Sequence, residues 1–121
     1  MNFIFKSIFY FLCITVMHSC LGGNSMEFNS AKACVRVEKN LIEGEKWALK
    51  ALKIEPDNAQ IPFFLAIEVY RHQKQYNKMN KMFKEALKRK SNLNLEQPFT
   101  TKEGKEIKTI HEAIYYHYSM Q

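Results

Sequence analysis

Histidines and acidic residues at helical spacing are the first places to look for chemistry in this 121-residue chain. His111-Glu112 opens the pattern H-E-x-x-H, in which two histidines one turn apart hold zinc and the glutamate acts as base. The fifth position here is Tyr115, so one ligand is missing. His111 and His117 are six apart, near opposite sides of a helix, and cannot share a metal without ligands from elsewhere. Glu68 and His72 are four apart, within reach of one another on a helix, where a surface pair is expected sooner than an acid–base couple. The sequence has no glycine-rich phosphate loop, no paired-cysteine metal spacing and no nucleophile elbow. The expectation is a protein with no catalytic residue, no metal and no cofactor.

The elements around these residues are those of an apolar core. The chain is 46% apolar and 25% charged, with three prolines, four glycines and three cysteines, which excludes a polytopic membrane protein, a disordered chain and a disulfide-stapled scaffold. Formal charge is +6, from 18 Lys and Arg against 12 Asp and Glu, and favours anionic partners.

The first residues have the proportions of an export signal. Lys6 supplies one cation, and residues 7–17 form an apolar run too short to cross a bilayer before His18, Ser19 and the Gly22-Gly23 pair. The stretch Met17-His18-Ser19-Cys20 resembles the bacterial lipobox, which implies cleavage after residue 19 and lipidation of Cys20. Residues 20–25 then form a small, polar tether. Plain secretion and a retained anchor are the alternatives. Removing residues 1–19 discards Cys13; lipidation of Cys20 leaves Cys34 as the single thiol, whereas without it a Cys20–Cys34 bridge is conceivable. Ala31, Ala33 and Val35 around Cys34 favour a small buried apolar role.

Residues 20–121 repeat themselves at an offset of 35. Phe28, Ala31, Arg36, Lys39, Lys46, Ala51, Leu52 and Lys53 recur as Phe63, Ala66, Arg71, Lys74, Lys81, Ala86, Leu87 and Lys88, eight identities in the 33 pairs starting from residues 24–56. Each copy reads as two helices. The first carries Phe28, Ala31, Cys34 and Val35 inward on one helix and Trp47, Ala48, Ala51, Leu52 and Ile54 on the next. In the second, residues 61–70 are apolar nearly all round, with Pro62 in the first turn, where its missing N–H does no harm. After a polar break at 73–75, residues 77–90 form an amphipathic helix with Met79, Met82, Phe83, Ala86 and Leu87 inward. Residues 93–100 read as a loop. Thr100-x-x-Glu103 has the form of a capping box opening a last helix over 100–119, with Ile107, Ile110, Ile114 and Tyr118 on one face and Gly104 weakening its first turn.

The residues Leu41-Ile42-Glu43-Gly44, Ala48, Ala51-Leu52 and Pro56-Asp57-Asn58, answered by Tyr76, Met79, Phe83 and Ala86-Leu87, resemble the second helix and terminal turn of a tetratricopeptide repeat. This resemblance covers residues 25–93. It implies an all-α fold, a short right-handed solenoid of two antiparallel helix pairs, with repeat 1 over 25–58, repeat 2 over 59–93 and the last helix as a cap on a repeat domain spanning 26–121. In that family the first helices line a groove that grips peptide segments. The resemblance therefore implies partner contacts at Asn29 and Arg36 in the first unit and at Phe64, Glu68, Arg71 and His72 in the second.

The remaining charge feature is a lysine stripe, Lys74, Lys78, Lys81, Lys84 and Lys88, expected to be a solvated helix face, with attraction to anionic lipid or an acidic partner as the functional alternative and nucleic acid excluded. The expected function is a non-catalytic protein–protein interaction module in the bacterial cell envelope. It faces the periplasm on an N-terminal lipid anchor and binds a protein or peptide, an acidic one if the basic residues take part. The alternative is a small inhibitor or immunity-type protein that blocks an envelope enzyme.

Overall fold

The computed structural model describes residues 24–121; the expected signal segment, Cys20 and the first residues of the tether lie outside the described residues. The described chain is mostly helical and divides into two compact units, one ending at Glu55 and the other Pro56–Gln121.

The first unit is a helical hairpin, α1 (Met26–Arg36) and α2 (Leu41–Ile54). Ser25, placed in the tether by its sequence context, is instead the N-cap of α1: its hydroxyl accepts from the Phe28 amide at 3.1 Å, satisfying one of the unpaired donors of the first turn. Its own amide donates to the Glu55 carboxylate at 3.0 Å, fastening the start of α1 to the end of α2. Asn40 caps α2 in the same way, accepting from the Glu43 amide. Phe28, Ala31, Cys34 and Val35 are buried as their spacing requires, and Cys34 is a buried thiol. On α2 the buried positions are Gly44, Ala48 and Ala51, a small-residue stripe, whereas Ile54 is 53% exposed, contrary to expectation, because it sits on the last turn beyond the buried stripe. At Gly44 a Cβ would overlap Val35 Cγ2, so the absence of a side chain lets the two helices close on each other.

The second unit opens with α3 (Gln60–Phe64), which runs without a break into a π-helical segment, Leu65–Tyr70, and returns through α4 (Tyr76–Lys88). Pro62 lies in the first turn, as expected. Asn58 Oδ1 accepts from the Gln60 amide, Arg89 donates to the Asn58 carbonyl and the Lys90 amide donates to the Asp57 carbonyl, so the two ends of this hairpin are also tied. The wide winding is marked by the Arg71 amide donating to the Ala66 carbonyl, five residues back, at 2.9 Å.

The rest of the unit departs from the expected all-α plan. Residues expected to be loop and helix form an antiparallel pair, β1 (Asn94–Thr100) and β2 (Glu106–Thr109). Between the pairs Asn94↔Thr109 and Phe99↔Ile107, β1 runs five positions against two on β2, a bulge containing Pro98, whose missing N–H cannot serve a ladder. Thr100 ends β1 instead of capping a helix. Thr101 then closes the turn: its amide donates to the Lys105 carbonyl at 2.8 Å and its hydroxyl accepts from the Lys105 amide. Gly104, at φ 86°, supplies the left-handed residue that the turn requires rather than a weak helical position. The last helix, α5 (Ile110–Ser119), starts ten residues later than its sequence pattern predicts, and its capping box is Thr109 with Glu112. The Glu112 carboxylate accepts from the Lys108 and Thr109 amides and the Thr109 hydroxyl, which holds it below the usual carboxylate range. Ile107, Ile110 and Ile114 are all buried, so the shared apolar face exists, but Ile107 reaches it from a strand.

The tight contact at Gly44 gives a double-mutant test. Gly44→Ala gains up to about 1 kcal/mol of helix propensity but overpacks against Val35 at a cost of about 1–3 kcal/mol, so it should lower stability to urea. In a Val35→Ala background the same change should be neutral or stabilising, since the nearest remaining atoms, the Ala31 carbonyl oxygen at 3.4 Å and the residue-35 Cβ at 3.6 Å, are ordinary contacts. Equal losses in both backgrounds would refute the close approach. A second test concerns the turns. Lys39 and Lys74 are the two non-glycine residues with positive φ among the described residues, at 57° and 58°. Left-handed geometry costs a residue with a Cβ about 1–2 kcal/mol, partly offset by the backbone freedom of glycine in the unfolded chain, so Lys39→Gly and Lys74→Gly should each stabilise by a few tenths to about 1 kcal/mol.

Candidate functional site

The residues that the repeat pattern nominates are distributed unevenly. In the first unit Arg36 closes α1 and is exposed, with Lys39 three residues on in the turn. Asn29 is 1% exposed, and neither its amide nitrogen nor its carbonyl oxygen has a hydrogen-bond partner. Phe28, Asn29, Ser30 and Ala31 are all buried, and four consecutive residues cover about 300° of a helix, so the opening of α1 is enclosed on nearly every side. A carboxamide enclosed without partners costs about 1–3 kcal/mol.

In the second unit Arg71 and His72 are exposed at the start of the turn that holds Lys74, and Glu68 lies half-buried in the π-helical segment. Phe64 is 2% exposed and belongs to the core, so it has no free face for a ligand. Equal offsets in sequence do not give equal faces here. Arg36 ends an α-helix and Arg71 comes after a π-helical segment, whose wider winding turns the side chains out of the 100°-per-residue phase. Each unit nevertheless carries its own Arg–Lys pair at its turn. Lys74 is a turn residue and not part of α4, whereas Lys78, Lys81, Lys84 and Lys88 are exposed on that helix as expected.

In the sequence His117 figures only as half of a failed metal pair; in the structure it is a packing residue. Phe83, fully buried on α4, carries the His117 ring stacked at 5.8 Å and 19°, the Tyr118 ring edge-on at 5.6 Å and Phe63 at 6.4 Å. Tyr116 meets Phe99 edge-to-face at 5.4 Å, joining α5 to β1, and Tyr115 packs on His111 at 4.8 Å. These contacts make the tyrosines of α5 its packing surface, apart from Tyr115, which is 54% exposed. Burial, and secondarily the positive charge of Arg71, hold the His117 imidazole below its ordinary pKa. Nothing in the residue spacing signals this, because His117, Phe83 and Arg71 are brought together only by the return of α5.

Among the described residues no group of three or more His, Cys, Asp or Glu is placed to hold a metal ion, and no helix is long and apolar enough to cross a membrane. Comparison with protein-family models, with curated proteins and with solved structures finds no match to this chain.

His117 makes the second unit sensitive to acid. The folded state favours the neutral ring, so its contribution is fully present above the unfolded pKa of about 6.5 and is lost as pH falls below that value toward the depressed folded pKa. Urea unfolding at pH 7.5 and pH 5 should show a larger loss for wild type than for His117→Phe, which keeps a ring on Phe83 and removes the proton site. Identical pH dependence in the two proteins would exclude His117 as the group responsible.

Proposed function

We propose that this chain is a non-catalytic, tetratricopeptide-like interaction module of the bacterial cell envelope, its two hairpins being successive units of a short helix-pair solenoid, lipid-anchored at Cys20 and gripping a segment of a partner protein. The observation that carries this reading is the duplicated hairpin. Two helix pairs reverse at the same register, through Lys39 and Lys74, at an offset of 35 that also relates the buried alanines Ala31 and Ala66 and Ala51 and Ala86. A helix pair that reverses through a turn carrying basic residues presents them at the exposed end of its helices, where an acidic peptide segment can reach them.

One feature indicates where contact would be made. Arg36 with Lys39, and Arg71 with Lys74, place cations beside each turn, favouring an acidic partner. Asn29, at 1% exposed, is as enclosed as Phe64 and is not part of this contact.

Crosslinking and pull-down from envelope membranes, with wild type beside Arg71→Glu, tests this reading. Wild type should retain a reproducible partner, and Arg71→Glu should weaken its capture by about tenfold, the scale of one close charge pair. The same partners at the same yield from both proteins would discard the groove.

A further inference from the structure

The charge of this protein is concentrated in one stretch. Residues 74–90 contain six lysines and Arg89 against a single carboxylate, Glu85, a surplus of six. The other eleven Lys and Arg are matched by the other eleven Asp and Glu, so this segment holds the whole formal charge of +6.

The structure turns that surplus into a surface. Lys78, Lys81, Lys84 and Lys88 are exposed on α4 and, at about 100° per residue, fall within about 120° of one another, while Met79, Phe83 and Ala86 are buried on the other side. Among the described residues none of the four lysines is in an ion pair. Glu85, the one carboxylate of α4, is engaged by Arg89 at 3.4 Å, and Arg89 is held at the same time by the Asn58 carbonyl at 3.3 Å. The carboxylate that would screen the lysines is thereby occupied by a cation outside the stripe.

The chemistry of this face selects its partner. Four ammonium groups on flexible stems, spread over about 15 Å of a convex helix, are point charges without the planar fork that reads single phosphates or carboxylates. No aromatic residue interleaves them on the exposed face to stack on a base. A broad, diffuse anionic sheet requires neither a cleft nor a fork, and a bilayer containing anionic lipid is such a sheet. We propose that the lysine face of α4 docks this protein on the anionic headgroups of a lipid bilayer. This contact is independent of partner capture and of any anchor at Cys20.

The test uses the full chain with sedimented vesicles, either of phosphatidylcholine alone or of phosphatidylcholine with phosphatidylglycerol. The apolar N-terminal residues act on both vesicle types, so the difference in affinity isolates the charge contribution. Anionic vesicles should bind more tightly, and high salt should erase the difference. Lys81→Gln/Lys84→Gln/Lys88→Gln should weaken binding to anionic vesicles by about a hundredfold, roughly fivefold per lysine, without changing binding to neutral vesicles or the circular dichroism spectrum. Arginine at the same three positions should retain the binding. Equal affinity for the two vesicle types, or an unchanged affinity in the glutamine variant, overturns the proposal. Salt-sensitive capture of duplex DNA by a protein that ignores anionic vesicles also overturns it and assigns the stripe to nucleic acid.

Discussion

Each helical unit reverses through a lysine held in the left-handed region of backbone space, and the rest of the architecture depends on that reversal. A helix continued by right-handed backbone would run on into solvent. A single residue at φ near 57° folds the chain back within four or five residues and brings the second helix alongside the first. In the first unit the Asn40 amide returns to the Cys34 carbonyl, six residues back, at 2.8 Å; in the second the Gln75 amide returns to the Tyr70 carbonyl, five back, at 2.9 Å. The geometry is unfavourable for any side chain with a Cβ, and it persists because packing on both sides fixes it. In the first unit that packing includes the approach of Gly44 to Val35 and the bond from Ser25 to Glu55, which closes the far end of the hairpin.

The second unit solves its end differently. Its C-terminal segment returns as a strand, a bulge, a second strand and a short helix, and α5 is held by aromatic contacts on Phe83 and Phe99 and by the reciprocal bonds of Thr109 and Glu112. The Ile110 and His111 amides donate to the Leu93 and Ser91 carbonyls, so the exposed donors of the first helical turn are met by the chain just before β1. A stacked imidazole at the centre of such a contact is a cohesive choice only while it is neutral, which gives this unit a dependence on proton concentration that an all-hydrocarbon core would lack.

Much of the helical plan is legible in the sequence. The offset of 35 locates both hairpins, and the apolar spacing finds Phe28, Ala31, Ala48, Ala51, Met79, Phe83 and Ala86 as buried positions. These succeed because a helix that packs on one side repeats its apolar residues every three or four positions regardless of partner. The C-terminal expectation fails where two periods overlap. Ile107, Ile110 and Ile114 satisfy a helical stripe, but Glu106, Ile107 and Lys108 also alternate outward, inward, outward, and the strand period prevails because Gly104 forms a turn and the true Thr-x-x-Glu cap lies at 109–112. The candidate site is legible only as a set of residue types. Sequence equivalence nominates Phe64 beside Arg71, yet the core absorbs Phe64 and the π-helical winding alters the phase of the residues after it.

Side-chain type and local period are enough to dictate the order of helical pairs, the small residues at their contact and the placement of every surplus positive charge between residues 74 and 90. The folded chain alone encloses Asn29 without partners, lays His117 on Phe83 with Arg71 nearby, and ties Arg89 to the Asn58 carbonyl at the other end of its hairpin. Burial is a property of the chain that folds over a residue and electrostatic influence depends on distance through space, and neither is written in the spacing of residues along the chain.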